Sequence, residues 1–92
     1  MSRIALVGAM REEVAALRPC LAEARVERRA GREFLLGRLD GHEVILVRCG
    51  IGKVAAATTT AVLLDAYDAR ALLFTGVAGG LLPAVRVGDA VV

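Results

Sequence analysis

The sequence predicts an α/β layer architecture, with flanking helices packed on a central mixed sheet. Three observations predict it. Short continuous apolar runs at 3–10 (RIALVGAM) and 70–76 (RALLFTG) carry glycine at or near their ends and have the length of buried strands. Segments with helical apolar spacing lie between such runs. Two further strand-like runs flank Asp40-Gly41, a pair suited to the type I′ turn of a hairpin.

Taken in order, residues 3–10 form the first buried strand. In REEVAALRPCLAEA (11–24), Val14, Leu17 and Leu21 recur at helical spacing. Glu12 and Glu13 fall in its first turn, where the helix dipole favours acids. Pro19 is expected to end or kink this helix near Arg18. The basic stretch RVERRAGRE (25–33) is interrupted by glutamates and lacks aromatics, so it reads as a solvated turn and not a nucleic-acid patch. EFLLGRLDGHEVILVRCG (33–50) supplies the hairpin. GKVAAATTTAVLLDAYDA (52–69) is apolar nearly all round and reads as a buried helix. RALLFTG is another buried strand. LLPAVRVGDAVV (81–92) holds a proline breaker and then a strand. The order is strand, helix, hairpin, helix, strand, loop, strand, which implies a mostly parallel core sheet with a hairpin in it.

Hydrophobic residues make up 57% of the 92 residues and aromatics only 3%. So much Ala, Val and Leu is hard to hide in a body of this size, so the chain is expected to pack against more protein. Its end inside a strand at Val92 is expected of a piece of a longer domain. Twelve basic residues against ten acidic give a formal charge of +2, too balanced for a nucleic-acid or anionic-membrane partner. Cys20 and Cys49 lack metal-ligand spacing, so no metal is expected. No signal peptide opens the chain, and the longest uncharged run, 71–85, is too short to span a bilayer. A cytoplasmic protein with reduced thiols is expected.

In open α/β sheets, ligands collect beyond the carboxyl ends of the strands. Three glycine-bearing loops leave such ends: GAMREE (8–13), CGIGK (49–53) and TGVAGG (75–80). They are expected to converge on one rim. CGIGK is not a Walker loop, because Val47 stands at the first glycine position and Val54 follows Lys53. Gly50, Gly52 and Ala55 do match the dinucleotide fingerprint, but the next strand ends in Phe74-Thr75-Gly76 without the ribose-binding acid. No cofactor is expected. The carboxylates of GAMREE admit two readings: complements to a helix dipole, or a base that activates water. His42 beside the turn reads as solvated, and Cys49 as a small buried hydrophobe.

Together, IALVGAMREEVAAL, VRCGIGKVAAA and FTGVAGGL…VGDAVV resemble the methylthioadenosine/S-adenosylhomocysteine nucleosidases of the purine nucleoside phosphorylase superfamily. The resemblance runs through all 92 residues and is to the N-terminal part of a single nucleosidase domain. It implies hydrolysis of the N-glycosidic bond of adenine thionucleosides in methionine salvage, releasing adenine and a thioribose. The transition state is expected to be oxocarbenium-like, by analogy with sugar hydrolysis. Glu13, the last acid of GAMREE, resembles the residue that binds and activates the attacking water, with Glu12 as the fallback. Ala9 and Met10 resemble residues lining the ribose, and Ile51 a wall for the 5′-alkylthio group. Ala78 and Gly79 resemble loop residues beside ribose and base. Many members carry serine where this chain has Val77, and valine cannot hold the water by a hydrogen bond. The family's ribose-binding glutamate, adenine-protonating aspartate and an arginine near the water belong to its C-terminal part. These 92 residues alone are therefore expected not to turn over. A homodimer at full length is also implied. The alternatives are a nucleoside phosphorylase or futalosine hydrolase of the same superfamily, and a non-catalytic nucleoside-binding or dimerisation fragment. A phosphorylase would need an arginine-rich phosphate site, for which Arg11 and Arg48 are the basic candidates near the rims.

Overall fold

The computed structural model describes residues 3–92. Its elements are β1 (Arg3–Gly8), α1 (Arg11–Ala15), a 3-10 turn (Arg18–Cys20), β2 (Ala22–Arg29), β3 (Arg32–Leu39), β4 (His42–Arg48), α2 (Lys53–Ala66) and β5 (Ala69–Phe74). The strands form one mixed sheet in the order β2-β3-β4-β1-β5. β1 runs parallel to both β4 and β5, while β2, β3 and β4 are antiparallel.

The apolar runs are continuous because the central strands bury both faces. On one face Ala5, Val7, Phe34, Leu36, Ile45 and Val47 pack with Leu63 and Tyr67 of the α2 segment. On the other, Leu35, Val44 and Leu46 pack with Leu21, Val14 and Leu17. The result is three layers, with α2 and α1 on opposite sides of the sheet.

Both hairpins are tight. Leu39 pairs with His42 around Asp40 and Gly41, whose φ values are 49° and 79°. Type I′ turns require positive φ at both central residues, as the Asp-Gly pair implied. Arg29 pairs with Arg32 around Ala30 and Gly31, with φ of 50° and 73°. Residues 25–33 are therefore not a solvated turn. They are most of an edge strand and a second hairpin, masked in sequence by charge and by Ala in place of Asn or Asp. β2 exposes alternating arginine and glutamate, with Arg25–Glu27 and Arg28–Glu33 contacts of 3.5 and 2.9 Å. The opposite edge, β5, exposes Leu72, Leu73 and Phe74.

Five other expectations differ from the structure. The first helix stops at Ala15, and Pro19 sits in the 3-10 turn, whose first positions tolerate a missing N–H. Residues 22–24 belong to β2, with an irregular register between Ala22 and Arg25. Helix α2 buries only Thr59 and Leu63, and Val54 and Leu64 reach the surface. The sheet covers one side of that helix only. Similarly, β5 forms where expected but is largely exposed, because it is an edge strand among the described residues. Residues 75–92 contain turns and no strand. Thr75 still donates to β1 through Val7 O, and beyond it the segment pairs with no strand among the described residues. Its turns close by Val85 N–H to Leu82 O and Asp89 N–H to Arg86 O, both 3.0 Å.

The C-terminal end of α2 is fastened to β2. Tyr67 donates to Glu27 Oε1 at 2.9 Å and accepts from Arg29 Nε at 3.1 Å. Its ring lies 5.1 Å from that of Phe34. Burial pushes the Tyr67 phenol above its ordinary value of 10.0; the bond to Glu27 adds to this and Arg29 opposes it.

Three outcomes follow from this packing. Leu63→Ala is expected to cost about 2–5 kcal/mol in chemical denaturation, because Leu63 is fully buried. Ala30→Gly removes a left-handed alanine and is expected to raise the unfolding free energy by on the order of 1 kcal/mol in chemical denaturation. A raised phenol favours the neutral form in the folded state. Its contribution is full below the unfolded value and is lost as pH climbs through the folded one. Stability should thus fall more steeply above pH 10 in the natural protein than in Tyr67→Phe, as followed by denaturation against pH.

Candidate active site

Parallel pairing sends the carboxyl ends of β4, β1 and β5 to the same edge of the sheet. The ladder continues past the strands. Cys49 N–H donates to Gly8 O at 2.8 Å and Thr75 N–H donates to Val7 O at 2.9 Å. The loops starting at Gly8, Cys49 and Thr75 thus leave side by side, as their glycine-bearing sequences implied.

Glu13 sits at the corner between β1 and α1. Met10 is extended, with φ −123° and ψ 159°, and marks the helix start. This geometry turns the backbone N–H groups of Ala9 and Met10 toward the first helical turn. Both donate to Glu13 Oε2, at 2.5 and 3.1 Å. One carboxylate oxygen is thereby occupied in holding the corner. Glu13 Oε1 takes no hydrogen bond among the described residues, and Gly76 of the TGVAGG loop borders it. A half-buried carboxylate with one tethered and one open oxygen can orient a water molecule and accept its proton.

The structure therefore joins Ala9, Met10 and Glu13 directly. Ala9 also packs against the core on the α2 face. Ile51, at 80% exposure, and Val77, at 81%, stand on neighbouring loops as open rim, with Ala78 and Gly79 exposed beyond Val77. Sequence reading missed the part played by Gly8. A Cβ there would lie 2.8 Å from Val14 Cγ1, 3.0 Å from Glu13 Cβ and 3.3 Å from Thr75 O. Its position as the last residue of β1, just before Ala9-Met10, was the available signal.

A cavity of about 830 Å³ does not include Glu13 in its lining. It is a groove beneath α1, floored by Val14, Leu35 and Leu46 and rimmed by arginines. Two of these are engaged elsewhere. Arg28 pairs with Glu33 at 2.9 Å, and Arg32 donates to Cys49 O and Ala30 O. Arg11 and Arg48 border the same groove. Among the described residues no group of three His, Cys, Asp or Glu side chains is placed to hold a metal ion. Cys20 is exposed, Cys49 is buried, and both thiols are free.

The family model of the phosphorylase superfamily matches residues 3–92. The chain belongs to that superfamily. Its relatives include a 5′-methylthioadenosine/S-adenosylhomocysteine nucleosidase of Bacillus cytotoxicus, 52% identical over 90 residues. That alignment covers 98% of this chain and 39% of the relative, so the chain spans well under half the length of the curated proteins it matches. Among solved superfamily structures, the Colwellia psychrerythraea nucleosidase in complex with adenine superposes with a TM-score of 0.91 at 43% identity. It is covered over 36% of its length, against 96% of this chain. The futalosine hydrolase of Helicobacter pylori gives 0.89 at 31% identity, with 96% of this chain and 38% of that one covered. These structures bear out the α/β fold.

The steric position of Gly8 gives a direct test. Gly8→Ala is expected to lower stability by about 1–3 kcal/mol through overpacking at the α1 corner, measured by denaturation.

Proposed function

We propose that this chain carries the water-activating side of a nucleosidase that hydrolyses 5′-methylthioadenosine and S-adenosylhomocysteine. The observation that carries the reading is the Glu13 carboxylate, tethered through Oε2 and open through Oε1 beside the TGVAGG loop. The bare backbone of that loop gives a nucleoside a surface to lie against, with Ala78 and Gly79 along it and Ala9 and Met10 at the ribose. Ile51, from the neighbouring loop, is suited to an alkylthio wall. The likeness to nucleosidases solved with adenine and with a transition-state inhibitor supports this substrate class.

In the proposed reaction the C1′–N9 bond breaks and its electron pair leaves with adenine. Water adds to the cationic C1′, and Glu13 takes the proton that the water loses. The proton that adenine needs comes from an acid outside these residues, as the family resemblance implies. The Val77 side chain offers the water no hydrogen bond, so its positioning rests on Glu13 and on other groups. Homodimer formation and a cytoplasmic place in methionine salvage belong to the same reading. The exposed apolar side chains of α2 and β5 support burial against further protein.

Among the described residues, Arg11 and Arg48 border a groove whose lining excludes Glu13, which favours hydrolysis over phosphorolysis. The test uses the complete product of the gene. Adenine release from 5′-methylthioadenosine is expected without phosphate, and Glu13→Gln is expected to lower kcat by about 10²–10⁴-fold. A strict requirement for phosphate would overturn the reading in favour of a phosphorylase. Faster cleavage of futalosine than of 5′-methylthioadenosine would move the assignment to the hydrolase relative.

A further inference from the structure

We infer that Gly76 is a positioning residue for Glu13: its missing side chain is the space that lets the carboxylate keep its tethered pose. This rests on the proposed role of Glu13.

A Cβ at residue 76 would crowd two groups. It would lie 2.7 Å from Phe74 Cε1 and 3.2 Å from both Cδ and Oε1 of Glu13. The two neighbours differ in their freedom to yield. Phe74 is 61% exposed, so its ring can swing into solvent. Glu13 is less free to yield, because the N–H groups of Ala9 and Met10 both hold the other oxygen of the same carboxyl. A substituent at 76 therefore acts on the open oxygen and is felt at the tether. The backbone of Gly76 is not in the left-handed region, so the requirement for glycine is one of space and not of φ. Gly80 in the same loop differs. A Cβ there would meet Val85 at 3.4 Å and beyond, an ordinary contact.

The inference has two readouts, one of which is independent of activity. In the natural protein the amide protons of Ala9 and Met10 are expected to exchange slowly with solvent, because they bond to the Glu13 carboxylate. In Gly76→Ala that protection is expected to fall, while Gly80→Ala keeps it. In the complete gene product Gly76→Ala is expected to lower kcat by on the order of 10-fold with KM little changed. A displacement of 1 Å in a reacting group costs about 100-fold, and this clash asks for less. Phe74→Ala combined with Gly76→Ala removes the ring contact and leaves the carboxylate contact. Continued loss of kcat in the double variant supports the inference, and recovery would assign the effect to Phe74 and overturn it. Unchanged exchange of the Ala9 and Met10 amides in a folded Gly76→Ala protein would also overturn it. Absence of nucleosidase activity in the natural protein would instead remove the proposed function, and the amide exchange would still decide what Gly76 does to Glu13.

Discussion

Parallel pairing of β1 with strands on both sides is the constraint on which the rest of the site depends. Parallel neighbours present their carboxyl ends in one direction, so three chain segments far apart in sequence leave the sheet together. Satisfying that pairing requires a crossover from β4 to β5, and α2 supplies it over the face that holds Ala5 and Val7. Helix α1 covers the other face through Val14 and Leu17. The corner that leads into α1 then has only a few residues in which to turn. That is where Glu13 stands.

The two readings of an acid in a first helical turn are compatible here. Oε2 does the structural work of receiving the backbone amides at the start of the helix. Oε1 is left beside the neighbouring loop. A carboxylate held in this way has already lost its rotational freedom before any ligand arrives, which is the condition under which a positioned base is most effective. Glycine on both sides of the carboxyl serves the same end. Gly8 admits the helix against the strand, and Gly76 admits the loop against the acid.

Much of this was legible from residue patterns, and the failures have physical causes. The hairpin at Asp40-Gly41 announced itself because its backbone demands are met by few residue pairs. The turn at Ala30-Gly31 has the same geometry but uses an alanine in strained φ, which no composition rule flags. Edge strand β2 hid behind its arginines and glutamates. Periodicity foretold that α2 exists, but its uniform apolar surface said nothing about which side meets the sheet. At the site, motif order pointed to Glu13 and to three loops. The division of labour between its two oxygens depends on distances that no spacing encodes. The same holds for the clearance at Gly76.

The two edges of the sheet differ in kind. β2 presents alternating opposite charges, and β5 presents leucine and phenylalanine. Charge along an unpaired strand discourages another backbone from adding to it, whereas an apolar strand with free N–H and C=O groups is a template. Among the described residues the sheet is therefore polarised, and β5 is the edge better suited to a further strand.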